Sequence, residues 1–312
     1  MRRIVEYVFY RGLAFLVPLL PRGGMVWLGR RLGWLYLMCS PKARKIGLEN
    51  LRRAFPDRRD HWAILRESLR MQAVALLDAL WSARLTPERA AALVEVDAEE
   101  WRRLEPILRS GRGAVVATGH FGSWEMFNLA AGAMGMPKAT FIARPVRNAR
   151  IDAHLKRRRE RTGNTLVYRS KALPACLAAL RRGEIACSVI DIAVTPAEGG
   201  LFVDFLGTPA LTSGALPLLA VRRGAPLLFA VCRPLERGRR YALEGVEIPV
   251  RAEAPDRDAE VRRLTQELSH ALARRIREHP EAWIWSYKRW KWRPSELPGA
   301  YPDYSLWAHP LW

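Results

Sequence analysis

The chain reads as an α/β protein with a mostly parallel central sheet flanked by helices, preceded by an N-terminal helical layer that associates with a membrane. Three observations predict this. From residue 113 onward, short apolar runs of strand character alternate with longer runs of helical character, the pattern of parallel strands joined by crossover helices. Residues 40–110 carry apolar side chains at helical spacing. The first 39 residues mix apolar and aromatic runs with arginine, which suits a membrane interface.

Arg2-Arg3 followed by residues 4–20 looks superficially like a leader peptide. Arg11 interrupts the apolar run, however, and Pro21-Arg22-Gly23-Gly24 offers no small-x-small cleavage site. As a helix, residues 5–20 would span about 24 Å at ~1.5 Å per residue, short of a ~30 Å hydrocarbon core. A second stretch, 25–38, holds Trp27, Trp34 and Tyr36. Together they read as helices lying in or partly entering the interface. Full spanning by 4–20 would need Arg11 to snorkel, and an ordinary pair of core helices is the plain alternative.

Helical spacing continues through 44–55 (Ile46, Leu48, Leu51, Phe55), 61–84 (Leu65, Leu69, Ala73, Leu76, Leu77, Leu80) and 99–108. Strands are expected at 114–118, 138–143, 165–168, 185–190, 201–205 and 226–232, with an edge or antiparallel strand at 240–246. The intervening helices fall at 123–134, 149–162, 173–182, after Ser213, and at 256–278. There is no repeat and no linker between the helical part and the rest. The organisation is therefore 1–39, membrane-associating helices; 40–112, a helical layer packed on the catalytic unit; 113–295, the α/β core; and 296–312, a C-terminal tail.

With 51 Lys+Arg against 31 Asp+Glu the net charge is +20. Such a surface fits nucleic acid, an anionic membrane, or an acidic carrier protein or nucleotide donor, and a basic surface with no single partner is the bland reading. No nucleic-acid module is present. The segment 283–294 interleaves four tryptophans with cations, which suits a membrane interface or indoles packed on the core. The four cysteines, at 39, 176, 187 and 232, lack C-x-x-C spacing and read as reduced thiols, three of them buried. No carboxylate/histidine cluster has metal-ligand spacing, so no metal is expected.

Chemistry is expected at 117–126, where His120 and Glu125 form an H-x4-E pattern directly after the 114–118 strand. Loops at the carboxyl ends of buried strands are where open α/β sheets place their sites. Histidine can accept a hydroxyl proton near neutral pH, and a carboxylate can fix its tautomer. Gly119 and Gly122 let the backbone turn sharply and a substrate approach it. Ser123 is a candidate N-cap that would set Glu125 in a first helical turn. Arg144 ends a strand where it could bind an anionic head group. Of the cations at 156–161, most read as a solvated face. Thr212-Ser213 at an expected helix start would offer backbone N–H groups to a phosphate, although 199–211 reads equally well as a structural hairpin. No P-loop, G-x-G-x-x-G or G-x-S-x-G is present.

From about residue 20 to 295 the chain resembles the lipid A biosynthesis acyltransferase family, lauroyl and myristoyl transferases within the lysophospholipid acyltransferase superfamily. The resemblance rests on His120-Phe-Gly-Ser-Trp-Glu125, Arg144-Pro with Asn148 and Asp152, Gly200 to Gly207, the segment 283–294, and Asn50-Leu-Arg-Arg-Ala-Phe-Pro56. It departs from the family's usual pattern at Asp191-Ile192, where Asp-Gln is usual, and at Tyr287-Lys-Arg-Trp-Lys291, where a histidine usually leads. What the resemblance implies is O-acylation of a lipid A precursor or related glycolipid at the cytoplasmic face of a bacterial inner membrane. The acyl donor would be a thioester of acyl carrier protein or coenzyme A, with no cofactor. His120 would be the general base and Glu125 its orienting group. Arg144, Asn148 and Arg157 or Arg159 would contact substrate. Acylation of a mannosylated phosphoinositide, or a non-catalytic membrane-binding role on the same fold, are the alternatives. An acyl tunnel is expected near Phe202 and Phe205.

Overall fold

The computed structural model describes residues 2–82, 85–251, 253–294 and 301–308. Two helices open the chain, α1 (Arg2–Leu16) and α2 (Arg22–Cys39), joined by a 3-10 turn at Val17–Leu19. They are followed by α3 (Pro41–Ala54), α4 (His61–Trp81) and the short α5 (Pro87–Ala91). The Ser40 hydroxyl caps α3 by accepting the Ala43 N–H at 3.3 Å. Among the described residues no helix is long and apolar enough to cross a membrane. α1 buries no residue at all. Val5, Val8, Phe9 and Phe15 on α1, with Trp27, Leu35 and Tyr36 on α2, are each at least half exposed.

The sheet begins with a strand that sequence periodicity did not reveal, β1 (Val94–Val96). Next come α6 (Ala98–Leu108), β2 (Ala114–Thr118), α7 (Trp124–Ala133), β3 (Ala139–Ala143), α8 (Ala149–Arg159), β4 (Thr165–Tyr168), α9 (Ala172–Arg181) and β5 (Ile185–Val189). A hairpin, β6 (Gly200–Phe205) with β7 (Thr208–Ser213), stands apart from the main sheet. The chain continues through α10 (Ala215–Arg223), β8 (Leu227–Leu235), β9 (Arg240–Ile248) and α11 (Arg257–Glu278). It ends in a two-stranded ribbon, β10 (Trp292–Arg293) with β11 (Leu306–Trp307).

Seven strands lie in the order β1-β9-β8-β2-β5-β3-β4. All neighbouring pairs are parallel except β8 with β9. Side-chain alternation divides the core between the two faces. Val115 and Ala117 of β2 join one cluster with residues of α9, α10 and α11, while Ala114 and Val116 join the other with Met126, Phe127 and Ala130 of α7. The helix after β2 thus covers one face and α10, the next helix after β5, covers the other. Adjacent parallel strands whose connections diverge in this way open a crevice at their carboxyl ends.

One further expectation is corrected. Trp283, Trp285 and Trp290 are fully buried and Trp292 nearly so, so these indoles pack on the core and not at a lipid interface. Phe205 fills that same aromatic cluster, 5.3 Å from Trp283 and 5.7 Å from Trp290 between ring centroids. The cysteines behave as expected: Cys176, Cys187 and Cys232 are buried and Cys39 is exposed, all free thiols.

Candidate active site

His120 and Asp191 each lie two residues beyond a strand end, β2 and β5 respectively. Thr118 and Val189 are partners in the parallel register, and the ladder runs one step further through the Ile190 N–H to the Thr118 carbonyl at 2.9 Å. That register sets the two side chains face to face. Asp191 accepts the backbone N–H of His120 at 2.7 Å, and its other oxygen lies 2.8 Å from His120 Nδ1. The Trp283 indole also donates to it, at 2.9 Å. A carboxylate only accepts, so Nδ1 carries the proton and Nε2 keeps its lone pair in the neutral ring. Among the described residues Nε2 has no partner, and the side chain is 23% exposed. Burial works against the imidazolium, but the charge and hydrogen bond of Asp191 outweigh it and raise the histidine above its ordinary 6.5. The same pairing holds the Asp191 carboxyl below its usual range despite complete burial.

Among the described residues Glu125 forms no hydrogen bond with His120, where the expectation paired the two. Ser123 caps α7 by accepting the Met126 N–H at 3.3 Å, which fixes Glu125 in the first turn. From there it points to α8, where Arg159 donates to it from Nε at 2.9 Å and again from a terminal nitrogen. The Trp124 indole adds a third donor at 3.2 Å. The Trp124 ring in turn stands edge-to-face with His120, centroids 5.2 Å apart. Glu125 and Arg159 therefore form one largely buried ion pair beside the histidine. Burial disfavours the Arg159 charge, yet Glu125 outweighs it and raises the guanidinium.

Gly122 adopts φ +66°, and a Cβ there would run into the Cys232 carbonyl. Only glycine fits without displacing β8. The loop is pinned throughout: the Gly122 N–H donates to the Ala282 carbonyl at 2.8 Å and that of Ser123 to the Cys232 carbonyl at 3.1 Å. The glycine therefore shapes the loop, where close approach of a substrate was also expected of it.

The other expected contacts are scattered. Arg144 is exposed just past β3, close enough to Tyr287 to act on its phenol. Asn148 is a buried N-cap, accepting from Arg150 N at 3.2 Å and donating to the Arg3 carbonyl at 2.7 Å. It joins α8 to α1 and does not face the crevice partners. Arg157 is exposed on α8. Thr212 and Ser213 end β7 and do not start a helix; α10 begins at Ala215 with Gly214 as its cap. Thr212 is buried beneath Arg289, which donates to its hydroxyl. The expected phosphate cradle is thus a strand end filled by the protein's own arginine.

Sequence reading missed Asp191 and Trp283 as partners of His120. The available signal was positional: both Asp191 and His120 follow a buried apolar strand by two residues.

The chain is similar to known proteins over nearly its whole length. The chain is 26% identical over 293 residues to the lipid A biosynthesis lauroyltransferase of Escherichia coli (strain K12), covering 93% of this chain and 92% of that protein. Residues 1–292 match the model of a family described as bacterial lipid A biosynthesis acyltransferase. Over that length, and with a buried carboxylate holding a histidine at the sheet's crevice, the chain belongs to the bacterial lipid A biosynthesis acyltransferase family and is an acyltransferase.

Proposed function

We propose that this enzyme moves a fatty acyl group from a thioester donor, carried by acyl carrier protein or coenzyme A, to a hydroxyl of a lipid A precursor or a closely related anionic glycolipid. His120 Nε2 is the general base. The observation that carries this reading is the His120–Asp191 pair, which leaves Nε2 unoccupied at the crevice.

In the forward step the acceptor oxygen attacks the thioester carbonyl carbon while its proton passes to Nε2. The tetrahedral intermediate collapses, the C–S bond breaks, and the thiolate leaves with the proton returned by the imidazolium. No acyl-enzyme forms. Negative charge on the former carbonyl oxygen needs a donor. The N–H groups of His120, Gly122 and Ser123 are already engaged, so Arg159, held by Glu125, is the cation assigned to that task.

An apolar cavity on the α7 face of the sheet is the seat we assign to the acyl chain. Trp101, Leu104, Val116, Phe127, Ala131 and Phe141 are among its lining residues. Trp124, Phe127 and Ala131 are spaced three and four apart and so share a face of α7. That face leads from the histidine to the cavity, a distance of roughly 10 Å at ~1.5 Å per residue. The exposed apolar and aromatic side chains of α1 and α2, set among arginines, support lodging in the cytoplasmic leaflet of a bacterial inner membrane.

The test is incubation of membranes carrying the enzyme with a labelled acyl thioester and candidate glycolipids, followed by product mass. His120→Ala is expected to abolish transfer while leaving liposome sedimentation intact. Transfer by His120→Ala at the wild-type rate would sink the proposal, and release of product only from a different lipid class would reassign the acceptor.

A further inference from the structure

We infer that Trp283 is a positioning residue for Asp191: its indole N–H and its main chain together hold the carboxylate against the His120 ring. The inference rests on the reading of His120 as the base. Trp283 is fully buried, and its Nε1 donates to Asp191 Oδ2 at 2.9 Å. The same oxygen accepts the His120 backbone N–H at 2.7 Å. Both donors therefore sit on Oδ2 and leave Oδ1 to His120 Nδ1, 2.8 Å away.

The main chain of Trp283 holds the other half of the pair. It forms an antiparallel bridge with Phe121, the residue after the histidine. The Ala282 carbonyl beside it accepts the Gly122 N–H at 2.8 Å. One residue thus grips the loop after β2 through its backbone and the loop after β5 through its side chain. Four residues on, the Tyr287 hydroxyl accepts the Ala193 N–H at 3.0 Å, which fixes the chain just past Asp191. The segment is anchored in turn, because the Ser68 hydroxyl of α4 donates to the Trp283 carbonyl at 2.5 Å. The indole packs edge-on against Trp285 at 4.7 Å and tilted against Phe205 at 5.3 Å between ring centroids.

A carboxylate removed from water needs donors to stay ionised. Trp283 supplies one without adding a charge. It does so from a packed frame, so the carboxylate keeps its orientation while the imidazole takes up and releases its proton. Support of this kind is what holds a reacting group in productive geometry.

The experiment compares kcat and KM of wild type, W283F, W285F and an enzyme carrying benzothienylalanine at position 283, all in membranes. Benzothienylalanine keeps the shape of the indole and puts sulfur in place of the N–H. Trp285 is the control: it is equally buried, lies in the same cluster, and donates to the Pro280 carbonyl at 2.7 Å. Loss of the N–H at position 283, in either enzyme, is expected to lower kcat roughly tenfold or more, the size of a hydrogen bond to a charged group. KM should stay within about twofold, since a positioning residue does not touch the acceptor. W285F is expected to lower Tm while keeping kcat within about threefold of wild type. Should W283F fail to fold, the benzothienylalanine enzyme gives the same reading. Wild-type kcat in that enzyme, or a loss in W285F equal to that in W283F, overturns the inference. If His120→Ala stays active, the base assignment itself is wrong; if it is inactive and the benzothienylalanine enzyme works as wild type, only the role of Trp283 falls.

Discussion

Asp191 reaches His120 across 71 positions of sequence, with one oxygen on the backbone N–H and the other on Nδ1. The carboxylate therefore fixes both the loop and the ring. Asp191→Asn preserves the shape but lets the amide donate to Nδ1, which moves the ring proton to Nε2. By analogy with serine hydrolase triads, kcat is expected to fall on the order of 10³–10⁴-fold. KM should change little, and an unaltered kcat would remove Asp191 from the mechanism.

The same pair sets the pH dependence. His120 is raised above 6.5 in the folded protein, so the imidazolium persists to higher pH than in a free peptide. The neutral base then forms only as pH climbs through that raised value. The rate of transfer is expected to rise with an acidic limb above pH 6.5, measured with a donor whose own chemistry is flat there. A limb below that value contradicts the dominance of Asp191 over burial.

Glu125 and Arg159 act as one unit, so their substitutions should not add. Removing either leaves a largely buried charge without its partner, whereas removing both leaves none. Glu125→Gln and Arg159→Met are each expected to lower kcat by at least tenfold. The double variant should be about as impaired as the worse single one, with a coupling above about 1 kcal/mol in the cycle. Additive losses would mean the two side chains work separately.

The core was readable from sequence because its side chains obey two periods. β2, β5 and β8 are apolar and bounded by turn residues, and α4 and α11 carry long helical stripes, so their existence followed from spacing. β1 escaped because three residues, Val-Glu-Val, show too little alternation to be told from a loop. The histidine's partner escaped for a different reason. Glu125 is close in sequence, but the cap at Ser123 starts α7 so that its first turn faces α8; Asp191 is remote in sequence, and only strand register brings it near. The tryptophans at 283–290 were misread because indoles interleaved with cations suit both a lipid boundary and a packed core. Composition does not distinguish the two, whereas full burial of Trp283, Trp285 and Trp290 does.

Asp78 is fully buried in α4 and ties three elements to the catalytic loop. It accepts from Arg22 at the start of α2 at 2.5 Å, from the Tyr241 hydroxyl of β9, and from Ser123, the cap of α7, at 2.9 Å. Burial pushes its carboxyl up, with Arg22 opposing. Asp78→Ala strands the buried Arg22 cation and two hydroxyls, and is expected to cost about 3–5 kcal/mol of stability, read as a lowered Tm. A Tm within a degree or two of wild type would show that the network does not anchor the loop.

If the acyl chain lies in the apolar cavity, its length is a property of a few side chains. Ala131 lines it on the α7 face that also carries Trp124 and Phe127. Ala131→Phe adds a ring where a long acyl chain would extend, and overpacking of this kind typically costs about 1–3 kcal/mol. If the chain lies there, the variant should lose longer donors by roughly 10-fold or more for that energy and keep shorter ones near the wild-type rate. The measurement is a competition among thioesters of graded length, read by product mass. Equal loss across all lengths would place the acyl chain outside this cavity.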